Sequence, residues 1–233
     1  MSSLANVWET REFAFELKYV VDLATAQRIR DWARLRLQPD PNSETEDFYR
    51  VTSLYFDTPR FDVFHRRGSF GRGKYRVRRY GCAPNVFLER KLKTRSMVTK
   101  RRSLVDTPSL NALEASDAKA GWTGAWFHRR LLLRGLRPIV QISYNRTARV
   151  EMTSLGPVRL TIDEDLRASG IEGPAFRSEQ GAQVLPDKAI VELKFRRAMP
   201  AVFKELVAEF GLTPATFSKY RTAAQALEFV RNA

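Results

Sequence analysis

The chain has 233 residues, of which 43% are hydrophobic and 28% are charged, a composition that excludes intrinsic disorder and leaves room for a substantial core. Cys82 is the only cysteine, so an internal disulfide and a cysteine-based zinc cluster are excluded and a reducing compartment is favoured. The net charge is +14, and residues 66–102 alone contribute +13 through 14 basic residues and one glutamate, which predicts a polyanionic partner.

The first half of the chain is predicted to consist mainly of strands, because apolar and polar residues alternate along it. In chain order the predicted elements are a strand at 11–21, a helix at 23–37 with Asp22 as its N-cap, a loop at 39–47, a strand at 49–57, a short helix ending at His65, and basic strands at 74–80, 86–93 and 99–105. The turn between the first two basic strands predicts a hairpin.

The second half mixes helices with strands. In chain order it is predicted to contain helices at 109–118 and 121–133, strands at 138–150 and 158–162, a polar loop at 170–183, a strand at 188–196, and helices at 199–210 and 214–231. No linker divides the sequence, so residues 1–233 are predicted to form one α+β domain.

Charged side chains occupy one face of several predicted strands. The sets that share a face are Lys74, Arg76 and Arg78; Glu89 and Lys91; and Glu192 and Lys194. For one strand alone, a face in contact with water would explain this pattern. The opposite faces are apolar, however, and apolar helices are available to cover them from outside. We therefore predict a closed antiparallel β-barrel of about eight strands, with its charged faces lining a tunnel and its helices packed outside.

Such a tunnel is predicted to bind chains of phosphate groups, because buried like charges repel one another unless an anion neutralises them. The glutamates among the cations suit a hard divalent cation, Mn²⁺ or Mg²⁺, that also binds phosphate oxygens.

The same segments carry an ordered series of motifs. These are ELKY at 16–19, SLYFDT at 53–58, KYRVRRYG at 74–81, LERKLK at 88–93, SYNRTA at 143–148, VRLTIDEDL at 158–166, VELK at 191–194 and SKY at 218–220. In this order the sequence resembles the polyphosphate polymerase domain of the vacuolar transporter chaperone (VTC), within the triphosphate tunnel metalloenzyme superfamily that includes the CYTH proteins. The resemblance implies a β-barrel tunnel, a divalent metal, and transfer of the ATP γ-phosphate onto a growing polyphosphate chain.

The resemblance also implies roles for individual residues. The residues implied to hold the reacting triphosphate, and thus to be catalytic, are Arg76, Arg78, Lys91, Arg146 and Arg159. Those implied to bind further substrate phosphate are Lys18, Lys100, Ser218 and Lys219. Glu192 matches the metal-binding glutamate, and Glu89 and Glu16 are additional metal candidates. Superfamily members often begin with Glu-x-Glu-x-Lys, whereas Ala14 occupies the first position here.

Two other functions remain open at this point. An inorganic triphosphatase would use the same tunnel with water as the acceptor, and a non-catalytic module would bind polyphosphate or nucleic acid without turnover. Glu192 argues against simple binding, because a buried carboxylate without a metal does not help an anion bind. The expected partners are therefore ATP and polyphosphate and not nucleic acid.

No apolar run approaches the roughly 20 residues that a membrane-spanning helix needs, and the N-terminal residues lack a signal pattern. We therefore expect a cytoplasmic protein without a membrane segment of its own. Translocation of a product across a membrane would then require a membrane protein as partner.

Overall fold

The computed structural model describes residues 7–13, 15–41, 47–94, 97–178 and 181–230. Within these ranges the strands are β1 (Val7–Phe13), β2 (Phe15–Asp22), β3 (Gln38–Pro39), β4 (Phe48–Asp57), β5 (Gly73–Tyr80), β6 (Asn85–Thr94), β7 (Met97–Asp106), β8 (Arg137–Thr153), β9 (Gly156–Gly170), β10 (Ala182–Gln183) and β11 (Lys188–Phe195). The helices are α1 (Leu23–Arg36), α2 (Asp62–His65), α3 (Ala125–Arg134), α4 (Ala201–Glu209) and α5 (Lys219–Ala226), with 3₁₀ helices at Gly68–Arg72 and Thr107–Glu114.

The strands form one antiparallel sheet in the order β1-β7-β6-β5-β4-β8-β9-β11-β2, with β3 added to β8 and β10 added to β9. An α+β fold with a large antiparallel sheet is thus confirmed. Among the described residues the end strands β1 and β2 do not pair with each other, so hydrogen bonds do not close the sheet and the closed barrel is not confirmed.

The sheet is nevertheless strongly curled. Six strand spacings separate β2 from β6, which would be about 29 Å in a flat sheet with strands about 4.8 Å apart. Instead, Glu16 on β2 and Lys91 on β6 form an ion pair of 2.8 Å. The face that carries these two side chains is therefore concave, and we call it the concave face.

Strand register confirms that the charged sets share this concave face. Arg76 lies opposite Glu89 on one side and opposite Tyr55 on the other. Lys91 lies between Lys74 and Lys100. The polar side chains of neighbouring strands therefore lie side by side on the concave face, as the sequence predicts.

Helix α1 covers the outer face of the strands at one end of the sheet order. Asp22 is its N-cap, as predicted, because its carboxylate accepts the N–H of Thr25 at 2.7 Å. Ile29 and Trp32 on α1 are buried in a cluster with outer-face residues of β2, β9 and β11, and α4 adds further apolar side chains to it. Full burial of a side chain such as Ile29 contributes about 1.5–3 kcal/mol.

Helix α3 covers the outer face of the basic strands. Phe127 is fully buried, with its ring centroid 5.7 Å from that of Phe56 and 6.2 Å from that of Tyr75. The aromatic residues at alternate positions of β4 and β5 therefore pack outward while the charged neighbours point to the concave face.

Helix α5 departs from the prediction that helices pack outside. Its residue Tyr220 stacks on Tyr55 of the concave face, with ring centroids 5.7 Å apart, and donates a hydrogen bond to Asp57 at 2.5 Å. The predicted start of this helix at residue 214 is also wrong. The N–H of Ala215 donates to the carbonyl of Lys18 at 2.7 Å, so the chain contacts β2 at this point, and α5 begins only at Lys219.

Other predicted boundaries need correction. The strand predicted at 11–21 is two strands that pair with different neighbours, β1 with β7 and β2 with β11, and Ala14 between them lies outside the described residues. The strand predicted at 158–162 continues to Gly170, because a register shift between β8 and β9 accommodates the left-handed backbone of Asp165, at φ 49°, without ending the strand. The segment predicted as a helix at 109–118 is instead the 3₁₀ helix Thr107–Glu114.

Candidate active site

Glu89 on β6 is the centre of the first charge cluster of the concave face. Its carboxylate accepts from Arg76 Nε at 2.7 Å and lies 2.7 Å from Lys100 Nζ, and its side chain is only 2% exposed. Burial would raise the pKa of this carboxyl, but Arg76, Arg78 and Lys100 together hold the pKa of Glu89 far below its ordinary value. Glu89 is therefore ionised.

Two tyrosines extend this cluster. Arg76 Nη1 donates to the Tyr55 hydroxyl at 3.4 Å, and Arg78 Nη2 donates to the Tyr144 hydroxyl at 3.2 Å. Burial would raise the pKa of Tyr55, but the neighbouring cations Arg76, Arg78 and Lys74 lower it to about 7. The Tyr55 hydroxyl is thus an acidic group in a cationic environment.

Asp163 on β9 is the centre of a second cluster. Arg146 donates two hydrogen bonds to its two carboxylate oxygens, from Nε at 2.6 Å and from Nη2 at 2.7 Å, and Lys219 Nζ lies 2.6 Å from Oδ2. Burial opposes ionisation of Asp163, but Arg146 and Lys219 prevail and lower its pKa to about 2. Such a two-bond fork fixes both partners in position.

The third cluster contains two carboxylates bridged by lysines, and we call it the lysine-bridged pair. Lys18 Nζ lies 2.9 Å from Glu16 and 3.7 Å from Glu192, and Lys194 Nζ lies 2.7 Å from Glu192 and 4.0 Å from Glu16. Lys91 approaches Glu16 from across the concave face. Burial and Glu192 oppose ionisation of Glu16, but the lysines lower its pKa to about 2, and the pKa of Glu192 is also well below its ordinary value.

The lysine-bridged pair suits the divalent cation that the sequence resemblance implies. Mg²⁺ and Mn²⁺ are bound through one or two carboxylates together with substrate phosphates. The carboxylates of Glu16 and Glu192 lie on adjacent strands, where ammonium groups hold them together in the way that a metal could hold them. No group of three or more His, Cys, Asp or Glu side chains suited to a metal is found in the described ranges, so phosphate oxygens would complete the ligand set.

The predicted residues are thus brought together on one face. Arg159 lies opposite Lys194 on the neighbouring strand, pairs with Asp40 at 2.7 Å and donates to the Tyr49 hydroxyl at 3.0 Å. Ser218 lies next to Lys219 as expected, and its hydroxyl accepts from Lys74 at 3.1 Å.

Glu192, which matches the metal-binding glutamate, and Glu89, an additional metal candidate, lie in different clusters. Glu89 is bound by an arginine and a lysine, whereas Glu192 lies beside Glu16. The structure therefore groups Glu192 with the other additional candidate, Glu16.

Sequence reasoning missed several functional residues. Asp163, a buried residue within β9, was not assigned to the site. Its alternation with Arg159 and Thr161 was the available signal. Lys74 and Lys194 were recognised on charged faces but not assigned to the site, and nothing in the sequence distinguished Tyr55 from a packing tyrosine.

The comparisons with known proteins agree with this architecture. A family model described as "VTC domain" matches residues 13–228, while no curated protein matches the chain. Among solved structures, an adenylate cyclase candidate from Bacillus halodurans superimposes with a TM-score of 0.55 at 15% identity, over 89% of this chain and 95% of its own. At this identity the likeness shows a shared fold only.

A second solved structure is an adenylyl cyclase candidate from Hippeastrum, described as having a dominant triphosphatase activity. It covers 90% of this chain and 94% of its own, at 14% identity and with a TM-score of 0.49.

In the described part of the chain, no helix has both the length and the apolar character needed to cross a membrane.

Proposed function

The chain belongs to the VTC domain family, and from this premise we propose that it is a metal-dependent phosphotransferase that adds the γ-phosphate of ATP to polyphosphate. The observation that carries the proposal is the convergence of cations from separate strands on one concave face, beside two carboxylates that lysines bridge. Arg76, Arg146 and Lys91 come from β5, β8 and β6, and each is paired with a carboxylate there. An incoming polyanion would meet several cations at once.

The proposed reaction requires little covalent chemistry from the protein. A terminal oxygen of the polyphosphate acceptor forms a bond to the γ-phosphorus of ATP, while the bond from that phosphorus to the β–γ bridging oxygen breaks and ADP leaves with the electron pair. The acceptor phosphate is already largely ionised at neutral pH, since its second pKa is about 6. No base is needed, and catalysis consists of positioning and charge stabilisation.

The arginines are suited to hold the phosphates in line. Arg76 and Arg78 each have two guanidinium nitrogens engaged with the protein, which fixes their planes and leaves further N–H groups for phosphate oxygens. Glu192 and Glu16 would hold Mg²⁺ or Mn²⁺, which neutralises developing charge on the transferred phosphate when bound. Lys18, Lys100 and Lys219 lie close enough to the same face to bind neighbouring phosphates.

Two further features belong to the proposal. The curled sheet is proposed to surround the phosphate chain as a tunnel, although backbone pairing among the described residues does not close it. The proposed location is the cytoplasm, where ATP is available and where the free, exposed Cys82 stays reduced.

The proposal is tested by incubating the protein with ATP and Mn²⁺ and separating the products on a gel. Long phosphate chains together with ADP are the expected products. Release of inorganic phosphate alone would identify a triphosphatase instead, and absence of turnover would indicate a binding module. Arg76→Ala should abolish product formation, whereas Arg129→Ala, which changes an exposed residue of α3, should leave it unchanged.

A further inference from the structure

A cavity of about 630 Å³ adjoins the lysine-bridged pair at one end of the concave face. The cations that line it are Lys18, Lys74 and Lys91 from the concave face and Arg66, Arg72 and Arg221 from segments outside the sheet. The three arginines were not part of the predicted site. We call them the rim arginines, because they extend the positive surface beyond the strands.

The rim arginines differ from the site cations in their partners. Arg76, Arg146 and Lys91 are each paired with a carboxylate. In the ranges that the structure describes, no carboxylate lies within ion-pair distance of any rim arginine, and Glu16 is the one acidic residue among those lining the cavity. The positive charge of the cavity is thus largely uncompensated.

The pKa of Lys74 reflects this excess of positive charge. Burial, together with the neighbouring cations Lys18, Lys91 and Arg76, lowers the pKa of its ammonium group to about 8. Repulsion of this kind is relieved when an anion binds.

One of the rim arginines has a fixed side chain, and the backbone at another is tightly folded. Arg66 follows α2 in a left-handed conformation, and a Cβ atom on Gly71 would lie only 2.8 Å from the Arg66 carbonyl oxygen, so the loop folds closely on itself. The Arg221 guanidinium lies 5.3 Å from the centre of the Phe64 ring, and its Nε is buried without a hydrogen-bond partner among the described residues. The contact with Phe64 keeps the Arg221 guanidinium at the rim of the cavity.

We propose that this cavity is a second phosphate-binding site, which holds the part of a linear polyphosphate that extends beyond the lysine-bridged pair, with Arg66, Arg72 and Arg221 as its contacts. The inference rests on the proposed function, because it assigns the direction in which the chain leaves the site. Tripolyphosphate occupies the concave face alone, and only a longer chain reaches the rim arginines as well.

A linear polyphosphate fits this cavity better than a nucleic acid. Binding of single-stranded nucleic acid relies on aromatic side chains on which bases stack. The ring of Tyr220 at the cavity is already stacked on Tyr55, which leaves Phe217, a half-buried residue, as the other aromatic side chain of the lining. The cavity thus offers many phosphate contacts and little surface for bases.

The test is a comparison of two ligands by isothermal titration calorimetry without ATP. The wild-type protein should bind long-chain polyphosphate more tightly than tripolyphosphate. In the double variant Arg66→Ala/Arg72→Ala, and separately in Arg221→Ala, the affinity for long-chain polyphosphate should fall about tenfold, because charge-assisted hydrogen bonds are lost. The affinity for tripolyphosphate should stay within about twofold. Arg129→Ala is the matched control and should change neither value.

Several outcomes would overturn the inference. Equal losses for both ligands would mean that the rim arginines belong to the triphosphate site, and unchanged binding of the long chain would mean that they are not contacts. Tighter binding of single-stranded RNA than of long-chain polyphosphate would assign the cavity to nucleic acid. Thermal unfolding of each variant verifies that it is folded.

The result is separable from that of the product assay. If ATP gives no polymer but the length-dependent difference in binding persists, the proposed function fails while the second site stands. If polymer forms but the difference is missing, the second site alone is wrong.

Discussion

Two regions of the concave face hold their carboxylates in different ways. Asp163 is fixed by the two-bond fork of Arg146, and both side chains are nearly inaccessible, at 0% and 9% exposure. The lysine-bridged pair is held instead by Lys18 and Lys194, whose side chains are 23% and 38% exposed.

This difference indicates two roles, one that maintains the shape of the site and one that exchanges its partners when a ligand binds. An arginine fork has a fixed planar geometry, and breaking it leaves a buried charge without a partner. A lysine is a point charge on a flexible stem, which moves into solvent at small cost. We therefore expect the Arg146–Asp163 pair to maintain the shape of the site, while the lysines give up their carboxylates when a metal and phosphates arrive.

The largest expected effect is on stability, in Asp163→Asn. This change leaves Arg146 and Lys219 without the carboxylate that both contact, and breaking a buried pair costs about 3–5 kcal/mol. Urea unfolding followed by circular dichroism measures the loss. The comparison variant is Glu192→Gln, whose lysine partners are partly exposed and can turn into solvent, so its loss should be clearly smaller. Equal losses in the two variants would remove the distinction between the regions.

The second expected effect is on the affinity for the metal ion. In Glu192→Gln the affinity for Mn²⁺, measured by electron paramagnetic resonance with a non-hydrolysable ATP analogue present, should fall about 10- to 100-fold, because one of two adjacent carboxylates is lost. Glu89→Gln tests the other predicted metal residue. Glu89 is held by Arg76 and Lys100, so its substitution should change Mn²⁺ affinity by less than about threefold. A larger loss in Glu89→Gln would place the metal in the first cluster.

The sequence was sufficient to predict which strand faces carry charge. Lys74, Arg76 and Arg78 alternate with apolar residues, and a period of two leaves only one way to place them on a pleated strand. The family motifs then identified most of the residues that the structure brings together. Neither signal depends on contacts between distant segments.

What could not be predicted depends on such distant contacts. The pairing of Arg146 with Asp163 arises from the register of β8 and β9, which a shift alters between residues 143 and 145. Arg66 directly follows α2, Arg72 ends the 3₁₀ helix Gly68–Arg72, and Arg221 lies on α5. Their proximity depends on how α5 docks on the concave face. The split of the first predicted strand is a similar case, because both halves show the same alternation.

A smaller effect is expected from pH. The pKa of Tyr55 is about 7 in the folded protein, below its ordinary value of 10.0, so its contribution to stability is complete above pH 10 and is lost as the pH falls through 7. The pKa of Lys74 is lowered from 10.5 to about 8, so protonated Lys74 opposes folding below pH 8, and this cost disappears as the pH rises from 8 to 10.5. Both groups make the ligand-free protein more stable as pH rises from 7 to 10.

Thermal unfolding at pH 7 and pH 10 measures this effect. The Tm should rise by at least a few degrees, since about 1 kcal/mol corresponds to about 2–4 °C at this chain length. The double variant Tyr55→Phe/Lys74→Met should show a smaller rise. Lys204→Met, at an exposed position on α4, serves as the control for net charge and should keep the wild-type rise. The same slope in all three proteins would refute the assignment to Tyr55 and Lys74.

The smallest expected change in stability is in Lys91→Met. This variant tests directly whether the lysines contribute less to folding than the arginine fork does. Lys91 pairs with Glu16 across the concave face, but its side chain is 34% exposed, so the pair contributes less than about 1 kcal/mol to folding. The affinity for tripolyphosphate should nevertheless fall about tenfold, because a charge-assisted contact to the ligand is lost. In Arg146→Met both quantities should fall together, since that residue also supports buried Asp163. A Lys91→Met protein that loses as much stability as Arg146→Met would show that lysines, like arginines, hold the sheet in its curled form.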